Sequence, residues 1–235
     1  MWGPLWWVYR EQRMDKGNRK VDFFRGEILA SPLVLVNDYA GQGDEIKKAV
    51  ASLSGHDFHL LVVSNLDWNN DLTPWPADHL GRGLAPMKGE GPDYLRFLEK
   101  ELIPETMRET GISPAAFFVA GYSLAGLFAI YAALSGTLFS KAASVSGSLW
   151  YPGFEEWVEE SEASSRLSHV YLSYGDKEPN SRNELLRSVG TKTEAIRDAL
   201  RGKGIRTDFE VNPGNHFQDG TGRLAKGIAK LLETI

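Results

Sequence analysis

The 235-residue sequence has no cysteine, which excludes disulfides, thiolate metal sites and a cysteine nucleophile. Long apolar runs are missing as well. Met1 to Tyr9 is apolar and tryptophan-rich, but no basic residue precedes it and it is too short for a signal peptide or a membrane span. The expectation is a cytoplasmic chain with no membrane partner. Basic clusters are absent too: the net charge is −5 and no aromatic-interleaved basic patch occurs, which speaks against nucleic acid. Of the five histidines, His56 and His59 have a spacing that invites a metal reading. Their loop-to-strand setting does not put both imidazoles on one face, and no third ligand is near, so no metal is expected.

What is present is ordinary for a globular protein. Hydrophobic residues make up 42% and charged residues 24%, and the length suits one α/β domain spanning 1–235. No repeat, linker or low-complexity tract interrupts it.

Leu5 to Arg13 and Val21 to Ile28 flank the polar turn Met14 to Asn18, which predicts an antiparallel hairpin at the edge of a mostly parallel sheet. Trp2, Trp6 and Trp7 lie over the core or over a neighbouring chain. Ser31 to Asn37 reads as a central strand, and the glycine-bearing loop after it leads into a helix around Asp44 to Leu53. His59 to Ser64 is the next strand. Asn65 to Arg82 is a long polar-aromatic loop, a length that marks a functional segment, and its aromatic density predicts a pocket wall. Pro92 to Thr110 predicts a helix interrupted at Pro104. Strands over Lys141 to Ser146, Leu167 to Tyr174 and Arg206 to Val211 follow, with helices over about Asn183 to Arg201 and Thr221 to Ile235. The glutamates of Phe154 to Glu162 read as a solvated face.

One stretch organises the rest. Ala115 to Ala120 is an apolar strand, Gly121-Tyr122-Ser123-Leu124-Ala125-Gly126 a turn of small residues, and Leu127 to Leu134 a helix. This is the setting of a nucleophile elbow, in which a serine sits on a tight strand-to-helix turn and its neighbours must be small. Ala125 stands where glycine is usual. Gly111-Ile112-Ser113-Pro114-Ala115 fits the same pattern, but no apolar run precedes Ser113 and Pro114 biases it toward extended geometry.

Acyl chemistry needs a nucleophile, a base within reach and a carboxylate to orient the base. In the α/β-hydrolase scheme these arrive as serine, acid, histidine, each at the carboxyl end of a strand. Here Ser123 ends one strand, Asp176 and Glu178 follow a later one, and His216 follows the last. Asp176 and Glu178 compete as the acid; Glu178 is favoured by analogy with loops in which the acid lies a few residues past the glycine, whereas Asp176 also suits a turn. The oxyanion donors of this scheme would be the amide of Leu124 and one from near Tyr39.

These residues resemble the Putative esterase family of α/β hydrolases, which includes siderophore esterases of the enterochelin-esterase type and the esterase D group. The resemblance runs from about Leu33 to the C-terminus. It is carried by Gly121 to Phe128, by Ser144-Val145-Ser146-Gly147-Ser148-Leu149-Trp150-Tyr151, by Gly175-Asp176-Lys177-Glu178 and by Pro213-Gly214-Asn215-His216-Phe217. Asn70-Asp71-Leu72-Thr73-Pro74 is similar to the family's Arg-Asp-Tyr-Thr-Pro pocket loop without its arginine. The resemblance implies an α/β-hydrolase fold, a mostly parallel twisted sheet with helices on both faces. It also implies a serine carboxylesterase acting on a small-molecule ester through an acyl-enzyme, without a cofactor. Trp75, Trp150, Tyr122, Trp68 and Asp71 are the candidate substrate contacts. Other readings are a catalytically silent fold used for binding and an acyltransferase with the same triad. No oligomeric state is read from the sequence.

Overall fold

The computed structural model describes residues 10–16, 18–78, 80, 85–162 and 164–234. Its strands are β1 (Arg10–Lys16), β2 (Arg19–Phe24), β3 (Leu33–Asn37), β4 (His59–Ser64), β5 (Phe117–Tyr122), β6 (Lys141–Val145), β7 (His169–Gly175) and β8 (Arg206–Asn212). They form one eight-stranded sheet in the order β1-β2-β4-β3-β5-β6-β7-β8. β1 and β2 are antiparallel, β2 runs antiparallel to β4, and β3 to β8 are parallel.

The strand sequences explain this arrangement. Leu-Val-Leu-Val in β3 and Leu-Leu-Val-Val in β4 have no polar face, as expected of parallel strands covered on both sides. Side chains alternate between faces: Leu33 and Leu35 join one core, Val34 and Val36 the other. Helices α1 (Gly43–Leu53) and α9 (Gly220–Leu232) close the second core. The first core is covered by α3 (Gly91–Phe97), α4 (Ile103–Thr110), α5 (Leu124–Ser135), α6 (Phe154–Glu160) and α8 (Val189–Gly202). Every residue of α5 from Leu124 to Leu134 is buried, so this helix is apolar all round. Among the described residues no helix is long and apolar enough to cross a membrane.

Several boundaries differ from expectation. The hairpin is present, but β1 continues to Lys16 and β2 begins at Arg19, so most of the expected turn Met14 to Asn18 is strand. Leu5 to Tyr9 and the tryptophans at 2, 6 and 7 lie outside the described residues. Asn65 to Arg82 is not without regular structure. It contains α2 (Trp68–Asp71), and its Ala77 forms a bridge with Met87 beyond it. Pro104 does not interrupt its helix; the chain passes from α3 through a π-helical turn, Leu98–Leu102, into α4. Proline has no N–H to donate and crowds the carbonyl four residues back, and the wider turn ahead of it absorbs both effects. The helix expected from Asn183 is two: α7 (Glu184–Arg187), capped by Asn183 Oδ1 accepting from the Leu185 and Leu186 amides, and α8.

The parallel strands end together. Asn37 pairs with Gly121, Tyr122 with Val145, Val145 with Ser173, and Gly175 with Asn212. The segments after these residues therefore share one rim of the sheet. At that rim β5 and α5 come close: a Cβ added at Gly121 would lie 2.2 Å from the backbone of Ala125. Gly121→Ala should accordingly destabilise the fold by about 3 kcal/mol or more, at the upper end of overpacking costs, read as a fall in the urea midpoint. Stability unchanged within error would contradict this packing.

Candidate active site

Ser123 sits between β5 and α5 with φ 60° and ψ −124°, a backbone region that non-glycine residues rarely occupy. Neighbouring bonds fix the turn. The Ser123 amide donates to Val145 O (3.1 Å), and Ser123 O accepts from the amides of Gly126 (3.0 Å), Leu127 (3.1 Å) and Ser148 (3.0 Å). The Cβ of Ala125 is tolerated because the residue facing it is Gly121. Ser113, the alternative pattern match, is exposed in a loop, its amide bonded to Leu29 O.

His216 lies in the turn after β8, and its Nε2 is 3.2 Å from Ser123 Oγ. Its Nδ1 is 2.9 Å from Glu178 Oε2. Ser123, His216 and Glu178 thus form a continuous hydrogen-bonded chain, although up to 93 residues separate members of a bonded pair. Glu178 is buried in a short 3₁₀ turn after β7. Its Oε1 accepts from the Gly175 amide (2.7 Å) and from Ser146 Oγ (2.7 Å). Burial alone would raise this carboxyl. Hydrogen bonds from His216, Ser146 and Gly175 outweigh it and hold the group below the ordinary glutamate value.

Asp176 is placed differently. It is exposed, and its Oδ1 accepts from the Gly214 amide at 2.7 Å, tying the β7 loop to the β8 loop. The two candidate acids therefore have separate positions: Glu178 faces the imidazole and Asp176 braces the backbone beside it.

Two hollows meet at Ser123. One, of roughly 540 Å³, is lined by Trp68, Trp150, Leu124, Met87 and Phe217 among others. The second, of roughly 340 Å³, is bordered by Asp38, Tyr39, Tyr122 and Leu224. Tyr39 and Phe217 stand exposed at their edges, and Tyr39 packs edge-on to Trp68 with ring centroids 5.3 Å apart. Tyr122 donates its hydroxyl to His216 O at 2.8 Å, and burial raises its pKa. Leu124 opens α5, so its N–H belongs to the first turn, whose amides lack partners within the helix.

Two expected contacts lie elsewhere. Trp75 borders neither hollow; its indole donates to Pro152 O at 2.9 Å and its ring packs on Tyr151, Phe154 and Trp157. Asp71 is buried in an ion pair with Arg19 at 2.8 Å, whose guanidinium lies over the rings of Tyr94 and Phe97. Asp71 thereby anchors the short helix that carries Trp68. His59 is buried in β4, with Nδ1 accepting from the Gly26 amide and Nε2 facing Leu29 O, so both ring nitrogens are engaged.

Sequence reasoning missed Ser146 and Arg223. Ser146 adopts φ 47° just past β6 and turns its hydroxyl onto Glu178. Arg223 is buried in the first turn of α9, 3.5 Å from Glu178 Oε1. A cation opposes the helix dipole at that end, which was the available signal that Arg223 has an anionic partner elsewhere.

Comparison with known proteins follows the same lines. The uncharacterized protein YbbA of Bacillus subtilis is 29% identical over 154 residues, which span 63% of this chain and 62% of that protein. An IroE-like serine hydrolase from Shewanella oneidensis superposes with a TM-score of 0.78 at 21% identity, covering 94% of this chain and 79% of the other. The siderophore hydrolase EstB from Aspergillus nidulans gives 0.74 at 14% identity, covering 100% and 98%. At these identities the two structures speak to fold alone, the α/β-hydrolase fold. The profile described as Putative esterase matches residues 39–219, taking in Ser123, Glu178 and His216, and the chain belongs to that family.

Proposed function

We propose that this protein is a serine carboxylesterase in which Ser123 is the nucleophile, His216 the general base and acid, and Glu178 the acid that orients His216. The observation that carries the reading is the hydrogen-bonded chain from Ser123 Oγ through His216 to Glu178, with spacings of 3.2 and 2.9 Å, at a point where two hollows meet.

In this mechanism Ser123 Oγ attacks the ester carbonyl carbon as His216 Nε2 takes its proton. The imidazolium keeps its Nδ1–H on Glu178, whose negative charge stabilises it. The carbonyl oxygen, now an oxyanion, accepts from the Leu124 N–H and from an amide near Tyr39. The intermediate collapses, breaking the bond to the alcohol oxygen, which receives the proton from His216. Water then attacks the acyl-Ser123 ester as His216 takes its proton; the acyl carbon–Oγ bond breaks, His216 returns the proton to Ser123 Oγ, and the acid product leaves. No cofactor enters these steps.

Trp68 and Trp150 would line the larger subsite, and Tyr122 and Tyr39 the smaller. EstB is a siderophore hydrolase, so ester-linked siderophores belong among the compounds to assay. The position where the family loop carries arginine is Asn70 here, and its side chain is occupied locally, accepting from the Lys88 amide at 2.8 Å and donating to Asp67 at 2.9 Å. This favours esters that need no cation from that loop.

Ser123→Ala should reduce turnover of a nitrophenyl ester by something like the ~10⁶-fold seen when a serine triad loses its nucleophile, and should abolish fluorophosphonate labelling. Retained turnover would refute the role of Ser123. Wild-type protein that neither turns over esters nor reacts with the probe would point to a binding protein.

The depressed Glu178 carboxyl also makes a stability prediction. Its ionised form is preferred in the folded state, so its contribution is complete above the ordinary glutamate range, near pH 4.3. That contribution is lost as pH falls through the lower folded-state value. Glu178→Gln should therefore show a shallower loss of stability below about pH 5, by at most about 1.4 kcal/mol per pH unit, in urea midpoints measured across that range. An acid limb as steep as wild type would count against the buried, ionised state of Glu178.

A further inference from the structure

We propose that Arg223 is a positioning residue that holds the acid and the histidine loop in register, an inference resting on the reaction proposed above. Its side chain is 97% buried, with the guanidinium between the carboxylate and the turn after β8. On one side Nη1 lies 3.5 Å from Glu178 Oε1 and 3.4 Å from Ser146 Oγ, the hydroxyl that donates to the same carboxylate oxygen. On the other side Nη1 donates to Asn215 O (3.1 Å) and Nη2 to Pro213 O (2.6 Å). Nη1 also reaches Tyr122 Oη at 3.4 Å, and that hydroxyl donates to His216 O at 2.8 Å. Directly or through Tyr122, one side chain engages the carbonyls of residues 213, 215 and 216 and the carboxylate that receives the imidazole.

The chemistry suits arginine. A planar fork with five donors can serve a carboxylate and several carbonyls at once, which a lysine ammonium cannot do in the same directions. The carbonyls it binds belong to a largely exposed turn with internal bonds of its own: the Asn215 amide donates to Gln218 Oε1, the Phe217 amide to Asn215 Oδ1 and the Gln218 amide to Asn215 O. Without the guanidinium, the turn would be tied to the β7 loop at Gly214, two residues before the imidazole, by Asp176 Oδ1 and the Lys177 amide, and Tyr122 would hold His216 O with its own hydroxyl no longer reached by Arg223. Misplacement of a base by an ångström is enough to slow a proton transfer substantially.

The test compares Arg223→Met and Arg223→Lys with wild type on a nitrophenyl ester, beside the proton spectrum of the resting protein. Expected for Arg223→Met is a fall in kcat of about 100-fold with KM little changed, and loss or broadening of the low-field His216 Nδ1–H resonance. Arg223→Lys should fall between it and wild type, and added guanidinium ion should restore part of the Arg223→Met activity. If Arg223→Met does not fold, the same two measurements on Arg223→Lys decide. A folded variant with wild-type kcat and an unchanged resonance overturns the proposal. The resonance is read without turnover, so it stays informative even if Ser123→Ala shows that ester cleavage is not the reaction.

Discussion

A carboxylate taken out of water must be met by donors, and in this protein that requirement joins parts of the chain far apart in sequence. Glu178 is buried in the short turn after β7. An ionised group in such a place is tolerable only when hydrogen bonds and opposite charge replace its hydration. Gly175 contributes an amide, Ser146 a hydroxyl, His216 an imidazole and Arg223 a guanidinium. These donors come from the ends of β6 and β7, the turn after β8 and the start of α9. Satisfying one charge thus brings one rim of the sheet together.

The sheet makes that convergence possible. Parallel strands deliver their carboxyl ends to one side, and the in-register pairs from Asn37 to Asn212 keep those ends level. At the same rim β5 and α5 approach so closely that position 121 has no room for a side chain. Ser123 is thereby held in its left-handed conformation and its hydroxyl is presented to His216. Strain at the serine and burial at the glutamate are offset by the packing and hydrogen bonds around them, a common arrangement at functional sites.

The architecture was legible in sequence because its signals are local. Continuous apolar runs marked β3 and β4, and small residues between an apolar strand and a helix marked Ser123. The order of serine, acid and histidine against the strands drew attention to Glu178 and His216. What escaped reading depended on distant partners. Trp75 looked like a pocket residue until its neighbours proved to be Tyr151, Phe154 and Trp157, and Asp71 until its partner proved to be Arg19, 52 residues earlier. Arg223 stands against the dipole of its helix, but that signal does not name Glu178 as the partner, and nothing near Ser146 encodes a positive φ. Loop side chains point where tertiary contacts direct them, and neither periodicity nor composition carries that information.

The pairing of Arg19 with Asp71 has a consequence for the edge of the molecule. Arg19 opens β2, and Asp71 ends the short helix that begins with Trp68. The peripheral ribbon is thereby clasped to the wall of the cleft, with two aromatic rings beneath the clasp. Trimming or exchanging those outer strands would alter more than a sheet border: it would slacken the mounting of an indole that borders both hollows beside the serine. Variation in that ribbon would then shift the wall beside Ser123 from a distance while leaving Ser123, His216 and Glu178 in place.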